Sequence, residues 1–380
     1  MTDARARVAT LIDESGLTRR AFAERMGLDE SKLSKSLSGT RRFSSLDLAR
    51  IAELCKVSVD WIITGEESAL AMAARTTTGK ATSAVSAARR YSGLREDMAT
   101  LGYPQPWRPV AGTWTGGFVE QGRQLARAAG ERLPAPGSDL AAAVEGAFGV
   151  DVAVTDLGAG FDGLAASSPA VRLIVLGTTT LPARQRFTLA HELAHLLVGD
   201  DQGVHLDRDV YSRAQAKDPG EMRANAFAAA FLMPEQVLRD AAGKAGIDRP
   251  GFAALACDLM VTPSALAFRL RELRLVDSGT CDDLRRITAA QAAGLAGRGD
   301  ELAASIALSS SERPPGLLLR DTFAAYAAGV STLRPYANLI GVDTEDLRSQ
   351  LELDQDLPRV GEGAPAALDA GRRPVPAWSS

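Results

Sequence analysis

The chain has 380 residues, 46% of them hydrophobic and 24% charged, with a net charge of −4. That length accommodates two or three domains with at least one sizeable core. The composition is ordinary for a soluble globular protein, and the charge excludes wholesale nucleic-acid coating while leaving room for one local basic face. Three scattered cysteines, Cys55, Cys257 and Cys281, form neither a disulfide framework nor a Cys-x-x-Cys metal site. Acidic residues stand where a signal peptide would need an apolar run, and no apolar stretch reaches membrane-spanning length, so the expectation is a cytoplasmic protein with no membrane partner.

Residues 1–65 read as a compact five-helix domain. Thr18 caps a helix bearing Ala21, Phe22 and Met26, Gly27 makes the turn, and Asp29 caps a second helix that buries Leu33 and Leu37. The exposed face of that second helix offers Ser31, Lys32, Ser34 and Lys35 to base edges, and Arg41 and Arg42 follow in position for phosphates. This segment resembles the Cro/C1 or Xre-type helix-turn-helix, which implies a DNA operator as partner. With 11 Lys/Arg against 9 Asp/Glu in residues 1–65, a competing reading is a module that forms a homodimer or grips a protein.

Residues 66–137 read as a linker and a connecting helix at about 80–101, followed by an irregular Gly-, Pro- and Trp-rich stretch from 103. A helix at 138–148 precedes two β-like runs, VAVTDL (152–157) and VRLIVLG (171–177), with FDGLA between them. VRLIVLG is the expected edge for pairing with an extended substrate. A long helix from Pro182 to Gly199 and a second through EMRANAFAAAFLM flank a polar loop, GDDQGVHLDRD. Helices continue through 279–353, and a Pro- and Gly-containing tail at 354–380 reads as disordered. RAFAERMGLDESKLSKSL, FAALACDLMVTPSALAFRL and RPYANLIGVDTEDLRSQL share a pattern of two short helices and a tight turn. The fold class expected is mainly α with a small β-sheet: the helix-turn-helix domain, an α+β domain at 138–278, and C-terminal helices.

The chemistry centres on His191-Glu192-Leu193-Ala194-His195. Positions i and i+4 of a helix lie about 40° apart, so both imidazoles project together, as Zn²⁺ ligands must. Glu192, beside that face, is placed to take a proton from a metal-polarised water. Only three histidines occur in the chain, and two sit at this spacing. The metzincin continuation fails, since Val198 and Asp201 stand where Gly and His are required. For the third ligand the residues leave two alternatives: His205 on the polar loop, or Glu221 opening the next helix in the gluzincin manner.

RFTLAHELAHLL followed by EMRANAFAAAFLMP resembles the ImmA/IrrE family of metallopeptidases over about residues 150–275. The resemblance implies zinc held by His191, His195 and Glu221, Glu192 as general base, a thermolysin-like site, and cleavage of a helix-turn-helix repressor that relieves transcriptional repression. Where the family commonly has a further acidic residue, this chain has Arg223. Asn225, one turn beyond Glu221, is a candidate to orient it, and His205 and Tyr211 are candidates for the oxyanion donor. The alternative function is a non-proteolytic DNA-binding regulator or antitoxin that uses the metallopeptidase-like domain to bind a partner.

Overall fold

The computed structural model describes residues 4–55, 57, 62–63, 82–134, 137–158, 161–199, 204–207, 218–243 and 246–355. By internal contact the chain divides into two compact units, Met1–Ser331 and Thr332–Ser380. The architecture is mainly helical with one small sheet.

The N-terminal helices are α1 (Ala4–Glu14), α2 (Arg19–Arg25), α3 (Glu30–Leu37) and α4 (Ser45–Cys55). Thr18 Oγ1 accepts from Ala21 N–H, and Asp29 Oδ1 accepts from Lys32 N–H at 2.8 Å, so both caps act as the sequence implies. Gly27 turns the chain at φ 65°. Val8, Leu11, Phe22, Met26, Leu33, Ile51 and Ile62 form a closed core. Most of the expected fifth helix lies outside the described residues; Ile62 belongs to the core, and Arg7 Nε donates to its carbonyl at 2.9 Å.

The larger body holds α5 (Thr82–Thr100), α6 (Phe118–Arg132), α7 (Leu140–Phe148), β1 (Asp151–Thr155), β2 (Gly163–Ser168), β3 (Val171–Gly177), α8 (Pro182–Val198), β4 (Val204–Asp207) and α9 (Pro219–Leu232). Next come α10 (Glu235–Ala242), α11 (Arg249–Asp258), α12 (Pro263–Glu272), α13 (Ser278–Leu284), α14 (Ala289–Ala296), α15 (Gly299–Ser309) and α16 (Gly316–Ala327). The second unit contains α17 (Arg334–Ile340) and α18 (Thr344–Gln355). Each of the three similar segments forms two helices and a turn. The 354–380 tail lies almost wholly outside the described residues.

Strand order is β1-β3-β2-β4, with β1 parallel to β3 and the other two pairs antiparallel. VRLIVLG is therefore an interior strand, with both edges already paired, and not the free edge expected from sequence. Its near-continuous burial fits a strand covered on two faces. Val152, Val154, Ala165, Ile174 and Leu176 join the main core, against which α8 packs. The alternating Ala153, Leu164, Leu173 and Val175 are buried on the opposite face, where α5 packs. The outer edge of β1 is closed by Arg313, whose backbone exchanges two 2.8 Å hydrogen bonds with Val154.

Helices read as connecting or C-terminal thus pack directly on this sheet. Arg95 of α5, fully buried, donates to both carboxylate oxygens of Asp151 at 2.7 and 2.8 Å and to Asp321 Oδ2 of α16 at 2.6 Å. One guanidinium thereby joins β1 to two helices 226 residues apart in sequence. Glu145 of α7, also buried, accepts from Arg313 Nη2 at 2.6 Å and from the Gly316 N–H at 2.7 Å.

α6 falls where the sequence reads as irregular. Its buried face is Gly122, Leu125, Ala126 and Ala129, a helical period written in small residues that leave little hydrophobic signal. Smallness has a purpose at Gly122: a Cβ there would meet Arg223 O at 2.3 Å and Phe227 N at 3.0 Å, so α6 lies backbone to backbone on α9.

We expect Arg95→Met, which removes the cation bridging buried Asp151 and Asp321 and leaves them only Gln105 and Arg320 respectively, to lower stability in chemical denaturation by about 3–5 kcal/mol. Gly122→Ala should lower it by about 1–3 kcal/mol through overpacking. Gly130→Ala, on the same helix with open space around its Cα, should be neutral or stabilising.

Candidate metal centre

α8 begins with Pro182 at its first position and ends at Gly199, which adopts φ 72° and donates its N–H to His195 O. Between them, every residue from Thr188 to Leu197 is buried, so the His-Glu-x-x-His segment runs through the interior. His191 and Glu192 are fully buried and His195 is 3% exposed. The two rings meet edge to face with centroids 4.9 Å apart, and their Nε2 atoms stand 3.1 Å apart.

Glu221 comes from the first turn of α9. Asp218 caps that helix, its Oδ1 accepting from the N–H groups of Gly220 and Glu221 at 2.8 and 3.2 Å. A carboxylate in a first turn is favoured by the helix dipole. The carboxylate crosses to α8, with Oε2 3.3 Å from His191 Nε2 and Oε1 3.6 Å from His195 Nε2.

The ligating atoms of the three residues all lie within 4.8 Å of one another. Corners of a tetrahedron with bonds of about 2.0–2.1 Å stand roughly 3.3 Å apart, close to the 3.1–3.6 Å separations here. His191, His195 and Glu221 therefore fit three positions around one metal ion.

Asn225 completes the arrangement. Its Oδ1 accepts from His191 Nδ1–H at 3.1 Å, so it orients that imidazole. That bond fixes the tautomer that leaves the Nε2 lone pair toward the cluster. Sequence spacing places Asn225 one turn from Glu221 on α9 but cannot say which ring faces it across the helix interface.

His205 lies on β4, opposite Ala165 of β2, and so on a strand rather than in the expected loop. Tyr211 falls outside the described residues. Arg223 turns toward α6, where its Nη1 donates to Gln121 Oε1 at 3.1 Å.

In the N-terminal domain, Ser31, Lys32, Ser34 and Lys35 are all exposed along one side of α3, while Leu33 and Ser36 point inward. Arg42 is exposed. Arg41 is not available in the same way: its guanidinium donates to Ser36 Oγ at 2.9 Å and pairs with buried Asp47 at 2.8 Å. Burial pushes the Asp47 carboxyl up, but bonds from Ser44 and Arg41 outweigh it and hold it below the usual value. Arg41 thus fastens the α3–α4 corner, a role that Asp47 six residues on could have signalled.

Comparison with known proteins agrees with both halves. The family described as IrrE N-terminal-like domain matches residues 145–271, and that described as helix-turn-helix domain matches residues 4–61. The radiation response metalloprotease IrrE of Deinococcus radiodurans is 36% identical over 138 residues, covering 36% of this chain and 41% of that protein. Its counterpart from Deinococcus deserti is 33% identical over 151 residues, covering 40% of this chain and 52% of that protein. The match thus spans about half the length of these relatives or less. The chain joins a helix-turn-helix domain at residues 4–61 to an IrrE N-terminal-like domain at residues 145–271.

Proposed function

We propose that this chain is a zinc-dependent endopeptidase with its own DNA-reading domain, acting in the cytoplasm on a helix-turn-helix repressor. The observation that carries the reading is the convergence of His191, His195 and Glu221 in a buried site. Two imidazoles and one carboxylate are the donor set of a catalytic zinc with one position left for water or substrate. The relatives' printed name, metalloprotease, agrees. We assign the peptidase work to residues 138–278 and DNA reading to residues 1–65.

Zinc held there would supply Lewis acidity, polarising the scissile carbonyl and acidifying water. Glu192 takes the proton of the attacking water and delivers it to the departing amine nitrogen. Its burial places that transfer at low dielectric, where electrostatic steering of the proton is strongest. Asn225 keeps His191 in the ligating tautomer. His205 and Tyr211 are our candidates for the donor to the developing oxyanion.

Ser31, Lys32, Ser34 and Lys35 would face base edges and Arg42 a phosphate. The repressor as substrate follows from the family resemblance. Holding the peptidase at the operator would raise its concentration near a DNA-bound target. No single helix among the described residues is long and apolar enough to cross a membrane.

His191→Ala, His195→Ala and Glu221→Ala should each strip zinc, and Asn225→Ala should weaken its binding about 10–100-fold. Glu192→Gln should keep zinc while cleavage of a purified neighbouring-gene repressor falls by about 10²–10⁴. Elemental analysis and gel-based cleavage read these outcomes. Zinc loss in His205→Ala with retention in Glu221→Ala would overturn the ligand set.

DNA affinity of the full chain should fall about a thousandfold between 50 and 200 mM salt if roughly six phosphates are contacted. Lys32→Ala and Lys35→Ala should blunt sequence preference, and Arg42→Ala should weaken all sequences alike. Arg41→Ala should instead lower the domain's thermal stability. Absence of binding to the DNA upstream of its own gene at low salt would replace the DNA reading with protein docking.

A further inference from the structure

The metal-ligating stripe of α8 continues toward the helix N-terminus. At about 100° per residue, Arg184 lies roughly 20° and Thr188 roughly 60° from the direction of His191. Thr188 therefore falls between His195, at about 40°, and Glu192, at about 100°. It stands about 4.5 Å of helical rise before His191.

Thr188 is 1% exposed, and its hydroxyl has no hydrogen-bond partner among the described residues. Its methyl is pressed on β2: a Cβ at Gly163 would stand 2.8 Å from Thr188 Cγ2. Buried hydroxyls are almost always satisfied, so one left over asks for an explanation.

A cleft of about 200 Å³ opens against this residue. Phe161, Asp162, Thr178, Thr179 and Arg184 line it together with Thr188. Arg184 donates to Asp162 Oδ2 from Nε at 3.1 Å and from Nη2 at 2.5 Å, so that wall is polar with its charges matched. Gln185 Nε2 donates to Gly177 O at 2.9 Å and Ser309 O at 3.1 Å, tying this end of α8 to the sheet and to the end of α15. Small-molecule sites occupy roughly 300–1,000 Å³; a smaller cleft suits one amino-acid side chain.

We propose that this cleft is a substrate subsite that receives the side chain of a residue next to the scissile bond. The side chain it selects is uncharged with a hydrogen-bonding head (Ser, Thr, Asn or Gln), and Thr188 Oγ1 makes the selecting bond. The matched Arg184–Asp162 pair gives neither a cation nor an anion an advantage, and the polar lining disfavours a large apolar group. The inference rests on the peptidase reading of the neighbouring site.

The test uses the full-length, zinc-loaded chain carrying Glu192→Gln, so that peptides are held uncut, against a random dodecapeptide library. Captured peptides should be enriched in Ser, Thr, Asn or Gln at one position. Adding Thr188→Val, which keeps shape and removes the hydroxyl, should reduce that enrichment about fivefold at unchanged zinc content. Thr188→Ala, smaller and likewise without the hydroxyl, provides a second variant if Thr188→Val fails to fold. No capture, enrichment only in charged or apolar residues, or enrichment unchanged by these substitutions would each overturn the subsite. Cleavage of the library by the chain with Glu192 intact is read separately. Selective capture without cleavage removes the peptidase reading and leaves the cleft as a peptide site. Cleavage with no preference at any position removes the subsite and leaves the peptidase.

Discussion

A carboxylate and two imidazoles can share a dry interior only if the backbones that carry them are held at a fixed separation. Burying such groups is expensive unless each meets its partner, and the partners here come from two different helices. The close approach of α6 to α9 at Gly122 sets part of that separation from behind. α9 is pressed between α6 and α8, so Glu221 has little freedom to withdraw. The site is a property of helix packing first and of its ligating residues second.

The sheet supplies the other half of the restraint. α8 lies on β2 and β3, whose register is fixed by antiparallel pairing from Gly163 to Ser168. Gly163 lets Thr188 sit directly on the strand, while Gln185 anchors the start of the helix to Gly177 O and Ser309 O. The metal-facing stripe is thus fixed both along and around the helix axis. Fixed geometry of this kind is what the proposed chemistry at a peptide bond requires.

Much of the centre was legible in the sequence because helical spacing is arithmetic. His191 and His195 four residues apart declare a shared face, and caps such as Asp29 declare where helices begin. What resisted reading was whatever depends on a partner distant in sequence. α6 hides because Gly122, Ala126 and Ala129 carry almost no hydrophobic contrast. Arg41 looks like a phosphate contact until Asp47 folds back on it, and the ring that Asn225 faces emerges only when α8 is laid beside α9. The position of β3 did have a usable signal: a strand as uniformly apolar as VRLIVLG is buried on both faces and belongs inside a sheet. Strand order and the Arg95 bridge to Asp151 and Asp321 are set by the crossing of chain segments far apart, and local periodicity holds no record of them.

The closure of β1 by Arg313 bears on what counts as a unit in this molecule. The segment shared with IrrE-like proteins ends at residue 271, yet Glu145 and Asp151 at its beginning receive their counter-charges from Arg313 and Arg95. Both lie outside that segment, one on each side. Excised at its family limits, the domain would carry two buried anions without cations and an open strand edge, the kind of edge that recruits other chains. The segment shared with the relatives is smaller than the unit that packs together, and the flanks serve as its missing walls.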